Sequence, residues 1–255
     1  MIMDKRTEDF FIPLNEVKLA EELDYSRTAD FIRSAEAFAR SGYQSVYIID
    51  YFRQNFLYVS PNPMLLCGLS PERVKELGYR FYIEHVPAEE QSLLLDINRA
   101  GFSFFESIPT GERRDWFIQY DFHIIGEGGT PILINHKLTP LALTSDGRVW
   151  LALCVVSVSS HTSAGHIELH RTGSPDFFVY NRMTRRWDKR TMPSLTEGEK
   201  SVITLSIQGF TMAEIAEKMC LSADTVKKYR RQIFDKLDVR NISEAIIAAT
   251  NNKLI

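Results

Sequence analysis

The stretch from Leu195 to Arg240, LTEGEKSVITLSIQGFTMAEIAEKMCLSADTVKKYRRQIFDKLDVR, constrains the fold of this chain more than any other. It holds three helix starts at short intervals. Thr196, with Glu199 three residues on, makes an N-cap and its reciprocal partner. Val202, Ile203 and Leu205 then form a buried side, and Gly209 is the stop. Thr211 caps a second helix with Ile215, Ala216 and Met219 on its inner face. Leu221-Ser222 makes a turn, and Ser222 caps a third helix. Two short helices, a tight turn and a third helix are the parts that lay a helix in the major groove of DNA.

On a wheel of about 100° per residue, Lys227, Lys228 and Arg231 of the third helix fall within about 100° of one another. Val226, Ile233 and Leu237 gather within about 40° on the other side. One face therefore packs while the basic face points outward near the helix N-terminus, where Lys or Arg meets guanine edges or phosphates. From Ser222 to Arg240 there are six basic residues (Lys227, Lys228, Arg230, Arg231, Lys236, Arg240) against three acidic ones (Asp224, Asp235, Asp238). The whole chain carries 30 Lys and Arg against 33 Asp and Glu, a net charge of −3. That balance argues against indiscriminate nucleic-acid binding and confines contact to one small face. A basic helical face is also, more often than not, simply a solvated surface.

Residues 194–255 resemble the LuxR/NarL-type helix-turn-helix. The carrying residues are Leu195-Thr196, Glu199, Val202-Ile203, Leu205, Gly209, Glu214-Ile215-Ala216, Leu221-Ser222, Thr225-Val226-Lys227, Ile233, Lys236-Leu237 and Val239. The resemblance implies an all-α four-helix domain whose third helix enters the major groove. Lys227, Lys228, Arg230 and Arg231 would then face bases or adjacent phosphates, and Thr225 the backbone. It also implies a dimer contact through the last helix, on Ile242, Ala245, Ile246 and Ala249; packing of that face within the domain is the competing reading. Three positions depart from the family pattern. Gly198 stands where Arg is usual, Tyr229 where His is usual and Asp238 where Gly is usual, but none removes the proposed DNA face.

The first two-thirds reads differently. Phe31, Ala35, Phe38 and Ala39 repeat at helical spacing within residues 20–41. Strand signals follow at 45–50 (SVYIID) and 55–60 (NFLYVS), and Pro61, Pro63 and Gly68 break the next stretch into short helical pieces. A longer helix is expected from Glu89 to about Phe105. Extended stretches at 116–125, 131–144 and 148–159 are separated by GEGG and SDG turns, which mark hairpins. Two strands, short helices, a long helix and three antiparallel strands resemble a PAS domain over about residues 43–160. FLYVSPNPMLLCGLSPERV and EHVPAEE carry that resemblance, which implies a small-molecule ligand held between sheet and helices, or an adaptor role. The aromatic residues here either line such a pocket or fill a core.

No cofactor is named by the sequence. Cys67 lacks the surroundings of a flavin-reactive cysteine, His85 precedes the long helix in a turn where histidine is commonly structural, and His123 sits in a strand. Cys67, Cys154 and Cys220 show neither C-x-x-C nor zinc spacing, so no haem, flavin or metal signature is present and free thiols are expected. There is no 18-residue apolar run, and the N-terminus is acidic where a signal peptide is basic. The expectation is a cytoplasmic protein with no membrane partner.

The expected fold class is α+β: a PAS-like antiparallel sheet with helices, followed by the four-helix domain. The expected parts are an N-terminal helical extension (1–42), the PAS-like domain (43–160), a β-hairpin-like linker (161–192) and the helix-turn-helix domain (193–255). The resulting reading is a sequence-specific transcription regulator acting on double-stranded DNA as a homodimer, with RNA polymerase a candidate partner. A protein-interaction adaptor built from the same domains competes with it. An enzyme is not expected, because G-x-S-x-G, H-E-x-x-H, the P-loop and paired carboxylates are all missing.

Overall fold

The computed structural model describes residues 5–18 and 23–255. The N-terminal region opens with a short helix α1 (Lys5–Glu8) and continues through turns around Pro13. A 3₁₀ turn at Tyr25–Arg27, capped by the Asp24 carboxylate on Ser26 N–H, leads into α2 (Thr28–Ser41). The described part of 1–42 is thus less helical than expected, since Pro13 ends any helix before it and Asp24 starts the next. Residues 20–22 of the helix expected over 20–41 lie outside the described residues.

Strands β1 (Ser45–Asp50) and β2 (Asn55–Val59) form an antiparallel pair. Helices α3 (Pro63–Leu66), α4 (Pro71–Leu77), α5 (Arg80–His85) and the twenty-residue α6 (Ala88–Ser107) follow. Prolines at the starts of α3 and α4 fit first-turn positions whose N–H needs no helical partner. Then come β3 (Trp116–Ile125), β4 (Pro131–Leu143) and β5 (Val149–Val158). The GEGG and SDG turns close these two hairpins with Gly129 at φ 69° and Gly147 at φ 84°, conformations that favour glycine. Pairing runs Ile118↔Leu138 to Ile125↔Pro131 in the first and Ile134↔Val158 to Leu143↔Val149 in the second.

Strand order β2-β1-β5-β4-β3, with α3–α6 crossing between β2 and β3, is the PAS arrangement. The sheet continues. The segment read as a linking β-ribbon forms β6 (Gly165–Arg171), β7 (Asp176–Asn181) and β8 (Arg186–Thr191), which extend the sheet beyond β3 to eight strands among the described residues. Aromatic packing holds it there. The His170 ring lies between Phe117 and Phe177, with centroids 5.0 Å away on each side and near-parallel planes. Phe104 of α6 packs at 5.5 Å from Trp116, 5.1 Å from Phe178 and 5.3 Å from Trp187, bridging the long helix to β3, β7 and β8.

One sheet face carries the main core with α6, including the fully buried Tyr47, Phe81, Phe122 and Ile134. The other face is covered by α2, whose Ala35 and Ala39 pack near Val46, Ile48 and Trp150. Tyr25 anchors this layer by donating its hydroxyl to buried Asp50 at 2.7 Å. Burial and that hydrogen bond push the Tyr25 phenol up to about 12.

Chain contacts divide the molecule into two units. One holds the chain up to Val158 together with Ser163–Arg190; the other holds Ser159–Thr162 and Thr191–Ile255. The second contains α7 (Glu197–Ile207), α8 (Met212–Lys218), α9 (Ala223–Leu237) and α10 (Ile242–Asn251) around its own core of Val202, Ile203, Ile215, Val226, Ile233 and Ala245. Among the described residues, no helix is long and apolar enough to cross a membrane.

Candidate functional site

In the four-helix unit, capping fixes where each helix begins. The Thr196 hydroxyl accepts from Glu199 N–H while the Glu199 carboxylate accepts from Thr196 N–H at 2.7 Å, and Thr211 and Glu214 repeat the arrangement. Ser222 accepts from Thr225 N–H at 3.1 Å to start α9. The turn before it is closed by Leu221 N–H donating to Ala216 C=O at 2.8 Å. These starts hold α9 across α7 and α8 with Val226 and Ile233 fully buried.

The opposite side of α9 presents the basic residues. Lys227, Lys228 and Arg231 are exposed and make no ion pair among the described residues. Arg230 is half-buried, its guanidinium 5.8 Å from the Phe234 ring, and belongs to the flank of this face. The Thr225 hydroxyl shares a 2.9 Å hydrogen bond with Ser222 Oγ. Lys236 is engaged elsewhere, donating to the buried Glu199 carboxylate at 2.7 Å and to Ser194 C=O at 3.0 Å. Burial alone would raise the Glu199 carboxyl, but Lys236 and Thr196 together hold it below the usual glutamate range. The pair ties the first helix to the third.

The three departures from the family pattern have structural explanations. A Cβ at Gly198 would lie 2.8 Å from Tyr229 Cζ and 2.9 Å from its hydroxyl. Gly198 and Tyr229 are therefore one complementary change, in which the missing side chain leaves room for the larger ring. Asp238 occupies the left-handed region (φ 52°, ψ 50°) at the end of α9, a conformation that Asp reaches more readily than most residues.

The α10 face read as a pairing surface requires a correction. Ala245 and Ala249 are fully buried in the unit's own core, with Ile242 and Ile246 packed beside them. A small-residue stripe lets a helix approach its neighbours closely, and here the neighbours are α7 and α9.

The sheet unit contains a cavity of about 80 Å³ between the sheet and α6. Its apolar wall includes Ile49, Leu94, Phe102, Phe105 and Leu138, and its polar groups come from Tyr51, Tyr79, Tyr82, Asn98, Trp116 and Tyr120. Phe10 also lines it, held in place by Asn98, whose side-chain amide donates to Phe10 C=O at 2.6 Å. Behind the wall, the Tyr47 hydroxyl hydrogen-bonds both the Tyr82 hydroxyl and His136 Nε2. Burial pushes the phenols of Tyr47, Tyr51, Tyr79, Tyr82 and Tyr120 well above their ordinary range. It also pushes the Cys154 thiol up and His136 down to about 3. All of these groups are uncharged at neutral pH. The indole N–H of Trp116 is buried and has no hydrogen-bond partner among the described residues.

Sequence reasoning singled out neither His136 nor this use of Trp116; a polar residue amid apolar neighbours was the only available signal. The histidines it did weigh are structural ties. His85 Nδ1 bonds Ile125 C=O at 2.9 Å. His123 engages Glu90 through its backbone N–H at 2.7 Å and its ring Nδ1 at 2.6 Å. Buried Cys67 has its thiol pushed up to about 11 by desolvation.

Capped helices, a tight turn and a third helix with an unpaired basic face define a helix-turn-helix domain. Residues 193–249 match the family model described as bacterial regulatory proteins, luxR family, and the C-terminal domain belongs to that family. Over 62 residues the chain is 37% identical to the HTH-type transcriptional regulators MalT of Vibrio campbellii and Vibrio parahaemolyticus, a stretch amounting to 24% of this chain. The chain spans only 7% of the length of those relatives. Among solved structures, the Vibrio cholerae VqmA dimer in the absence of target DNA is similar at 16% identity and TM-score 0.33, over 91% of this chain and 89% of that one. A phage VqmA–DPO complex is similar at 19% identity and TM-score 0.33, over 90% of each chain. At such TM-scores the likeness establishes neither fold nor function; the PAS assignment stands on strand order.

Proposed function

We propose that this protein is a sequence-specific DNA-binding transcription regulator whose PAS-like unit controls the helix-turn-helix in response to a small molecule. The observation that carries the DNA-binding part is the exposed, unpaired triad Lys227, Lys228 and Arg231 on the outer face of α9. Those cations are free to neutralise phosphates or to take guanine O6 and N7. Thr225 and Arg230 flank the face and contact the DNA backbone. The protein acts as a homodimer on two half-sites, because one short helix reads too few bases to select a site in a genome.

The sensory part rests on the interior cavity, a concave apolar site with a few convergent polar groups. A molecule that fits it shifts the balance between forms in which the α9 face is presented or withheld. RNA polymerase is the downstream partner of a regulator of this kind. The test is selection of the full chain against a random-sequence DNA pool at about 150 mM salt, where sequence-independent phosphate binding is suppressed. Enrichment of a motif with two related half-sites supports the proposal. No enrichment, with the full chain or with residues 191–255 alone, overturns it.

A further inference from the structure

Trp116 is the one cavity-lining side chain with a buried hydrogen-bond donor left unpartnered among the described residues. Its polar neighbours are differently placed. The Tyr82 hydroxyl is engaged by Tyr47, and the Asn98 side chain by Phe10 C=O and by Asn15. No Lys, Arg, Asp, Glu or His lines the cavity. A charged guest would be desolvated there without a counter-charge, so the site selects against ions. At about 80 Å³ the space corresponds to roughly five to eight water-sized positions, enough for a molecule of about six to ten non-hydrogen atoms.

The same indole belongs to a second set of contacts. Its ring lies 5.5 Å from Phe104 and 6.0 Å from Phe178 on β7, and Phe104 in turn lies 5.3 Å from Trp187 on β8. Tyr180 completes the group, 4.9 Å from Trp187. Five residues separate the end of β8 from the first residue of α7. The side chain with a donor to offer is thus also the one packed against the strands leading into the helix-turn-helix.

We propose that the cavity takes a small uncharged molecule bearing a hydrogen-bond acceptor, that the Trp116 indole N–H is the donor it binds, and that Trp116 transmits occupancy through Phe104, Phe178 and Trp187 to β7 and β8. This deepens the sensory reading above and rests on it. The added hydrogen bond pairs a donor that is otherwise buried unpaired, which is why an acceptor is favoured over a purely apolar guest of the same shape.

The three tryptophans of the chain, Trp116, Trp150 and Trp187, supply three separate reporters. Trp116 is in the cavity wall, Trp187 in the β8 cluster, and Trp150 in the layer under α2. The experiment follows their indole N–H resonances in the ¹⁵N-labelled full chain, each assigned by its Trp→Phe variant. The probes are acetophenone, α-methylstyrene and benzoate, which match in size and flatness but differ in acceptor and charge.

Acetophenone is expected to move the Trp116 indole proton downfield saturably and to shift Trp187, with Trp150 unmoved. α-Methylstyrene should bind about tenfold more weakly and produce no downfield movement. Benzoate should leave the spectrum unchanged. In Trp116→Phe, acetophenone should bind about tenfold more weakly and α-methylstyrene as before; if that variant fails to fold, the wild-type spectrum decides. Benzoate binding as well as acetophenone overturns the proposal, as does acetophenone leaving Trp116 unmoved. Movement of Trp116 without Trp187 overturns the relay. No acetophenone binding by a protein that still enriches a DNA motif refutes this inference while leaving the DNA-binding reading intact.

Discussion

Replacing Gly198 by alanine tests whether the departures from the family pattern are one change or two. An alanine in the first turn of an exposed helix ordinarily stabilises it by about 0.5–1 kcal/mol over glycine. Here the new methyl would sit 2.8 Å from Tyr229 Cζ, and overpacking of that kind costs about 1–3 kcal/mol. The Tyr229 ring is partly buried against the core of its unit, so it has limited room to swing aside. Gly198→Ala alone should therefore destabilise by about 1–2 kcal/mol. In a Tyr229→Ala background the clash is gone, and the same substitution should stabilise by about 0.5–1 kcal/mol. Urea unfolding of residues 191–255, which carry their own core, followed by circular dichroism, gives the four corners of the cycle. Equal effects of Gly198→Ala in both backgrounds, within about 0.5 kcal/mol, would refute the coupling.

Other expectations concern the same unit. Asp238→Gly should raise its stability by about 0.5–1 kcal/mol and Asp238→Ala lower it by about 1 kcal/mol, because residue 238 is left-handed; the same unfolding assay reads both. Lys236→Met should cost about 2–3 kcal/mol by leaving the buried Glu199 carboxylate without its ammonium. Because folding holds the Glu199 carboxyl below its ordinary range, its contribution is present above that range and disappears as pH falls through the depressed value. An acid titration of stability should accordingly fall more steeply in the wild type than in Glu199→Gln; identical slopes would remove Glu199 from the account.

Much of the helix-turn-helix is legible in one dimension because its determinants are local. Thr196 and Glu199, Thr211 and Glu214, and Ser222 and Thr225 each lie three residues apart, so caps and helix starts are written in adjacent letters. The hairpins of β3–β5 are legible for the same reason, through GEGG and SDG. What escapes is whatever depends on partners distant in sequence. Alternation shows that residues 166–190 contain strands, but not that His170 would wedge between Phe117 and Phe177 and bind them into the larger sheet. The stripe on α10 fits helix pairing inside or between chains, and only packing against α7 and α9 distinguishes them. Gly198 and Tyr229 read as separate anomalies until their 31-residue separation closes in space. The cavity is the extreme case, since Trp116, Tyr82 and Asn98 come from separate elements and none carries a motif.

The central claim is that the outer face of α9 reads DNA sequence. The most direct test compares binding of the wild type, Lys227→Ala and Arg231→Ala to the enriched site and to a scrambled one at fixed salt. The account predicts that each variant loses about 1–3 kcal/mol on the enriched site, with a much smaller loss on the scrambled one. Undiminished affinity and undiminished discrimination in both variants would contradict it.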